Sequence, residues 1–284
     1  MFSFKDLIKT KNRPLVMGIL NITPDSFSDG GEAFTVEDAV KKLKLLCNEG
    51  ADIIDVGACS TAPCNELVSE KEELNRLKMF LPEIIKHSTV PVSVDTLRAV
   101  VAEYALSQGV SIINDESGIF NNSMAECVSR YGAGWIFMHT GGGCSSDSVK
   151  YPDGVIKDVS DFFNNMKNQA IEFGIGEEQL CYDFGIGFGK TRQNDLELLC
   201  ACQVLSEFSP LLVGVSRKRV IGEITGEKLP KDRVAGSVTA AVLCAYKGAS
   251  ILRVHDVKET VDALNVTNAF KRGILKWKRL LLKD

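Results

Sequence analysis

The side chains best suited to chemistry stand at the ends of short apolar runs. Asn21 closes the run Leu15–Ile22 and leads into Thr23-Pro24-Asp25-Ser26-Phe27-Ser28-Asp29-Gly30-Gly31, and Asp55 sits in Asp52–Gly57 ahead of Ser60-Thr61. Asp95-Thr96, Asn114-Asp115, Met138-His139 and Asp183 end the next four runs, and Asp183 precedes Gly185-Ile186-Gly187-Phe188-Gly189-Lys190. The last two end in Ser216-Arg217-Lys218 and Arg253-Val254-His255-Asp256. Arg253 and His255, two apart on an extended run, share one face. With Arg217, Lys218 and Arg219 they predict a cationic pocket for a phosphorylated or carboxylated small molecule. Opposite them Asp95, Asn114 and Asp183 supply two carboxylates and an amide, able to read a heterocycle with several N–H donors. Neither Ser60, Ser216 nor Cys59 stands in a familiar nucleophile–base arrangement with a histidine, so positioning and electrostatic stabilisation are expected rather than covalent catalysis.

The elements that must position these groups follow from the alternation of patterns. The strand-like runs are Leu15–Ile22, Asp52–Gly57, Pro91–Asp95, Ser111–Asn114, Gly134–Met138, Leu180–Phe184, Leu211–Val215 and Ile251–Val254. Helical patterns follow them at Val36–Glu49, Ser69–Lys86, Arg98–Ser107, Ser123–Tyr131, Val155–Phe173, Asp195–Glu207, Lys231–Tyr246 and Lys258–Leu282. Thr35 with Asp38 and Ser69 with Glu72 read as capping boxes, and Gly50, Gly109, Gly132, Gly174 and Gly248 as helix terminators. Strict βα alternation implies parallel strands, and right-handed crossovers close them into a TIM (β/α)8 barrel, an α/β fold of one domain over residues 1–284. A doubly wound open sheet is the competing reading; it is disfavoured because no GxGxxG follows the first run. In such a barrel the active site lies at the C-terminal ends of the strands, where the polar residues gather.

Composition narrows the function classes. The 284 residues are 45% hydrophobic and 25% charged, which excludes disordered and fibrous chains. The net charge of −4 argues against a nucleic-acid partner, and no run is long enough for a membrane span. The nine cysteines lack metal-site spacing, and Cys47, Cys127, Cys181 and Cys244 fall in apolar stretches, as small buried hydrophobes do. The cytoplasm is the expected compartment. Several polar residues have plain structural readings: Asp25 and Asp29 as turn caps, His87 as solvated, Gly185–Gly189 as an ordinary loop, and Lys231-Asp232-Arg233 as a solvated helix start.

The stretch Asn21–Gly31 resembles the first signature of the dihydropteroate synthases. The resemblance continues through Ser93-Val94-Asp95-Thr96, Ile113-Asn114-Asp115, Asp183–Thr191, Ser216-Arg217-Lys218 and Arg253–Val257. It implies a TIM barrel that condenses 6-hydroxymethyl-7,8-dihydropterin diphosphate with 4-aminobenzoate, using Mg²⁺, as a homodimer inhibited by sulfonamides. It implies that Asp95, Asn114, Met138, Asp183, Phe188 and Lys218 hold the pterin. Asn21, Arg253 and His255 would take the diphosphate, with Asn21 also on the metal. Phe27, Thr61, Pro63, Ser216 and Lys218 would line the aminobenzoate site. The catalytic set is then Asp95, Asp183, Lys218, Arg253 and His255: the C–O bond breaks largely first, and the carboxylates stabilise the pterin methylene cation.

The second loop departs from the family pattern, with Cys59 in place of glutamate and Ala62 in place of arginine. The lost arginine predicts weakened aminobenzoate and sulfonamide binding with pterin binding intact. After Met138-His139 the chain reads Thr140-Gly141-Gly142-Gly143-Cys144 and also leaves the pattern. Two further readings stay open: a pterin-barrel methyltransferase, and a pterin-binding relative that no longer catalyses.

Overall fold

Every predicted apolar run becomes a strand in the computed structural model, which describes residues 1–23, 34–59, 68–141 and 150–281, with side chains of the last helix described as far as Lys271. The strands are β1 (Leu15–Asn21), β2 (Ile53–Gly57), β3 (Val92–Asp95), β4 (Ile112–Asp115), β5 (Gly134–Met138), β6 (Leu180–Asp183), β7 (Leu211–Val213) and β8 (Ile251–Val254). Each pairs in parallel with the next, and β1 pairs with β8, so the sheet closes. The expected barrel is the observed one.

Side-chain parity divides the barrel into two layers. Val16, Leu20, Ile54, Val56, Val94, Ile113, Trp135, Phe137, Tyr182 and Leu252 point outward into the main core under the helices. Leu15, Met17, Ile53, Ile112, Ile136, Cys181, Leu212 and Ile251 point inward and fill the lower barrel. Above them the inward positions turn polar: Asp55 is level with Ile19 and Ser93, Asp95 with Asn114, and Met138 with Asp183. Apolar packing below thus supports a charged layer above, at the C-terminal ends of the strands.

The helices are α1 (Phe4–Lys9), α2 (Val36–Asn48), α3 (Glu70–His87), α4 (Ala99–Ser107), α5 (Asn122–Tyr131) and α6 (Val155–Glu172). The rest are α7 (Arg192–Cys200), α8 (Cys202–Leu205), α9 (Arg219–Thr225), α10 (Val234–Tyr246) and α11 (Val257–Leu281). Thr35 and Asp38 form the expected capping box of α2, and the Ser69 hydroxyl caps α3 at Glu72 N. Two short helices escape the periodicity. In α1, capped by Ser3, Phe4 is fully buried against the lower barrel residues and closes its bottom, a burial worth about 1.5–3 kcal/mol. The second, α9, follows Lys218 and ends at Gly226 in the left-handed conformation. The expected helix Asp195–Glu207 instead begins at Arg192, where Thr191 and Asn194 cap it, and divides at Ala201. Cys127, Cys181 and Cys244 are buried as expected, whereas Cys47 is half-buried.

Candidate active site

The polar layer is built around one guanidinium. Arg253 Nε donates to Asp55 Oδ2 and Nη2 to Asp95 Oδ2, both at 2.7 Å, while Nη1 lies 3.4 Å from Glu116 Oε1. Asn114 Nδ2 donates to the same Asp55 oxygen at 3.2 Å. Burial opposes the charge on Arg253, yet Asp55, Asp95 and Glu116 outweigh it and hold the guanidinium protonated.

These carboxyls are held away from their ordinary acidity. Burial, then Glu116, pushes Asp95 well above the usual carboxylate range, against the pull of Arg253. Its Oδ1 is buried and has no hydrogen-bond partner among the described residues. Burial pushes Asp183 up to about 6, although Gly185 N donates to its Oδ1 at 2.7 Å. Asp183 Oδ2 borders Gly214, 3.8 Å from where a side chain there would begin. A buried acceptor oxygen without a donor costs free energy unless a ligand supplies one. Asp95, with such an oxygen, and the buried Asp183 together suit a planar ligand with N–H groups along its edge.

Beside this layer a cleft of about 320 Å³ is lined by Asn21, Asp95, Phe188, Ser216, Lys218, Arg253 and His255, among others. The Lys218 ammonium lies 4.2 Å from the centre of the Phe188 ring. Burial lowers its pKa, opposed by Glu116 and Asp183. His255 is pushed down to about 3, first by burial and then by Arg217 and Arg253, so its ring is neutral at physiological pH. Ser216 Oγ accepts from His255 N at 3.2 Å and lies 3.1 Å from Nδ1. The hydroxyl can thus give its proton to Nδ1 or accept one from it, and either way the contact fixes the orientation of the ring.

This corrects the expected cationic pocket. His255 is uncharged, Arg253 is neutralised by carboxylates, and Arg217 pairs with Asp256 through Nε at 3.0 Å. Arg219 is exposed at the start of α9 and does not line the cleft. Arg217 and Lys218 line the cleft beside Arg253, Arg217 with its guanidinium on Asp256 and Lys218 over the Phe188 ring. A second correction concerns Arg233, which is buried rather than solvated. Its guanidinium donates to the carbonyls of Glu227, Lys228 and Arg217, so it holds Arg217 at a φ of 59°. Ser237 Oγ accepts from Arg217 N at 2.8 Å and completes this support.

Nor does every strand end deliver its charged residue to the rim. Asp115 points outward and accepts from Trp135 Nε1 at 3.2 Å and Ser117 N at 3.0 Å. His139 also turns toward the helices, its Nε2 lying 2.8 Å from Asp158 Oδ2 and its ring edge-on to Phe162. Each follows an inward residue, Asn114 and Met138, and strand parity sends it the other way. His87 pairs with Glu83 Oε2 at 3.3 Å on the surface of α3.

The loop after β6 is held by a residue the sequence reading left unassigned. Lys190 is buried and donates to the carbonyls of His139 at 3.0 Å, Gly185 at 2.9 Å and Phe188 at 3.2 Å. Burial pushes it down to about 7, opposed by Asp183 and Asp195. Gly185 adopts a φ of 63°, and a Cβ there would meet the His139 carbonyl oxygen at 2.0 Å. The loop therefore needs both that glycine and that lysine to present Phe188 to the cleft.

Of the predicted site residues, Asn21, Asp95, Asn114, Met138, Asp183, Phe188, Ser216, Lys218, Arg253 and His255 all lie on the inward or upper side of the barrel. Phe27, Thr61 and Pro63 lie outside the described residues, as do Asp25, Asp29 and Ala62. Cys59 is buried and borders the cleft. Asp55 stood among the strand-end residues suited to chemistry but was given no role, and Glu116 was not expected in the site. Their signals were a charge within the wholly buried strand β2 and, for Glu116, the same parity as Asn114. Among the described residues no three His, Cys, Asp or Glu side chains gather as a metal cage.

A sequence model of the family described as pterin binding enzyme matches residues 17–255. The dihydropteroate synthase of Escherichia coli K12 is 41% identical over 261 residues, covering 91% of this chain and 92% of that protein. The dihydropteroate synthase of Neisseria meningitidis is 40% identical, covering 91% of this chain and 93% of that protein. Among solved structures, Xanthomonas albilineans dihydropteroate synthase with 4-aminobenzoic acid superposes with a TM-score of 0.86 and 42% identity, covering 92% of this chain and 94% of that one. The same enzyme in complex with 7,8-dihydropteroate gives 0.82 at 39% identity, covering 92% and 94%. The Yersinia pestis enzyme in a sulfonamide drug complex gives 0.85 at 38% identity, covering 92% and 95%.

Proposed function

The chain belongs to the dihydropteroate synthase family of pterin-binding enzymes, and we propose that its substrates dock across the polar layer and the cleft as follows. It is a transferase of folate synthesis, condensing 6-hydroxymethyl-7,8-dihydropterin diphosphate with 4-aminobenzoate to give 7,8-dihydropteroate and diphosphate; sulfonamides target this reaction. In the proposed docking, Asp95, Asn114 and Asp183 accept or donate along the polar edge of the pterin, with Met138, Phe188 and Lys218 against its ring. The single observation that carries this arrangement is the buried Asp95 Oδ1, without a hydrogen-bond partner among the described residues, which a pterin N–H would satisfy.

The diphosphate lies on the cleft side, against Asn21, His255 and Arg253. His255 is neutral and takes part through hydrogen bonding rather than as a charge. Ser216, 3.1 Å from Nδ1, holds the ring in place. Lys218, with Phe188 beneath it, reaches both the pterin and the aminobenzoate side. Phe27, Thr61 and Pro63 complete the aminobenzoate site in this reading. As the C–O bond breaks, Asp95 and Asp183 lower the energy of the positive charge left on the pterin methylene group, within a pocket of low polarisability. The aminobenzoate amine then attacks, and no strong base is required.

Mg²⁺ is the proposed metal. Asn21 offers one hard amide oxygen at the lining of the cleft, a donor set that suits an ion held mainly by substrate phosphates and water. Bound there, Mg²⁺ would neutralise charge developing on the departing diphosphate.

A homodimer fits the surface of the last two helices. Leu243 and Tyr246 on α10 and Val266 and Phe270 on α11 are large apolar side chains left exposed, and a second copy of the chain would cover them. The described cysteines are free thiols, which suits a reducing compartment such as the cytoplasm. No helix among the described residues is long and apolar enough to cross a membrane.

The test is turnover of purified protein with both substrates and Mg²⁺. Diphosphate release that requires both substrates, with dihydropteroate as product, is expected. Pterin binding without product would instead favour the non-catalytic relative.

A further inference from the structure

Three carboxyl side chains converge on the guanidinium of Arg253. Asp55 and Asp95 each accept a 2.7 Å hydrogen bond from it, and Glu116 Oε1 faces its third nitrogen at 3.4 Å. Glu116 directly follows β4, and its side chain is only 4% exposed. Two carboxylates already neutralise the arginine, so a third adds desolvation cost and repulsion. That repulsion reaches the pterin readers, because Glu116 is among the groups that raise Asp95 and Asp183. It is also the first of the charges that oppose the lowering of Lys218 by burial.

We propose that Glu116 is a positioning residue that acts through Arg253 as an exchangeable counter-anion, holding the guanidinium's third side until a phosphoryl oxygen of the diphosphate replaces it. The inference rests on the reading of Arg253 as a diphosphate ligand. Nε and Nη2 stay with Asp55 and Asp95 on the shorter contacts, so the guanidinium keeps its plane while Nη1 changes partner. The exchange lowers diphosphate affinity, since Glu116 must give up its cation and then face an anion. It also speeds departure of the diphosphate product, because Glu116 competes for the same nitrogen. The position thereby trades ground-state binding for release.

The test is calorimetric titration of inorganic diphosphate, in Mg²⁺ buffer, into the wild type, Glu116→Gln, Glu116→Asp, Arg253→Ala and the Glu116→Gln/Arg253→Ala double variant. Glu116→Gln keeps size and removes charge, and should bind diphosphate about tenfold tighter. Glu116→Asp keeps the charge and should stay within about threefold of the wild type. In steady state Glu116→Gln should lower both KM for the pterin diphosphate and kcat, the mark of slower release. Damage to the fold would weaken binding, the opposite sign. Equal or weaker diphosphate binding by Glu116→Gln overturns the inference, as does a gain that persists in the double variant, which would mean simple repulsion of anions. Should Arg253→Ala bind diphosphate like the wild type, the docking of diphosphate on Arg253 fails instead.

Discussion

Replacing Asp183 by asparagine should make the protein more stable while weakening its hold on the pterin. Asp183 ends β6 inside the barrel, where burial pushes its carboxyl from 3.8 up to about 6. A folded-state value above the unfolded one means that the folded protein favours the protonated form. The stability that this contributes is present below about pH 4 and is lost as pH rises through about 6. At neutral pH the ionised side chain therefore costs the fold about 3 kcal/mol, the free energy of moving a carboxyl from 3.8 to about 6. Asparagine carries no such charge and keeps an oxygen for Gly185 N, which now donates to Asp183 Oδ1 at 2.7 Å. The gain should be about 1–3 kcal/mol near pH 8 and vanish near pH 4. The amide group would set a donor against the donors of the pterin, at a loss of about 2–4 kcal/mol, or roughly 30- to 900-fold in affinity. Urea denaturation at both pH values, with calorimetry of a pterin lacking phosphates, measures the two effects. A variant less stable than wild type near pH 8, or one with unchanged pterin affinity, would refute the reasoning.

Lys190→Met leaves the carbonyls of His139, Gly185 and Phe188 without their shared donor; it should cost about 2–4 kcal/mol of stability and raise KM for the pterin substrate, read by denaturation and steady-state kinetics. Removing Mg²⁺ with a chelator should abolish turnover yet leave the affinity for a pterin without phosphates unchanged, because the pterin readers sit on β3, β4 and β6; a parallel loss of both would place the metal elsewhere. Ala62→Arg, outside the described residues, should lower KM for 4-aminobenzoate by roughly 10- to 150-fold, the value of one charge-assisted contact; an unchanged KM would show that the arginine is dispensable here.

The barrel was legible because each strand is a short, mainly apolar run between longer helical patterns, an alternation that tertiary context does not override. The terminators read as glycines do carry positive φ, at 98° for Gly50 and 106° for Gly248. Short helices were less visible: α1 spans 6 residues, too few for a period to emerge, and only the Ser3 cap marks it. The site residues followed from their place at strand ends, but the charge balance did not. Composition counts Arg217, Lys218, Arg219, Arg253 and His255 as a cationic group, whereas partner geometry decides which of them are available. Asp256 takes Arg217, burial discharges His255, and three carboxyls from β2, β3 and the end of β4 converge on Arg253. Convergence of residues 198 and 158 positions apart, as for Arg253 with Asp55 and Asp95, leaves no local trace in sequence.

The same geometry explains why an enzyme handling an anionic substrate lines its barrel with carboxyls. Three demands meet there: read a donor-rich heterocycle, tolerate a positive charge on that heterocycle as its bond breaks, and let the anionic product go. A bare cationic pocket would meet none of them well, since it would oppose the developing cation and retain diphosphate. Carboxyls meet the first two but are costly to bury, and the protein contains the cost in two ways. Arg253 neutralises Asp55 and part of Asp95 through direct hydrogen bonds, while burial raises Asp95 and Asp183 toward partial protonation. A pterin supplying N–H donors stabilises the ionised forms, so binding itself draws those protons off. Pterin affinity should accordingly weaken as pH falls below about 6, as Asp183 takes up its proton. The groups responsible are then the inward carboxyls on β3 and β6 rather than His255, whose titration lies near 3.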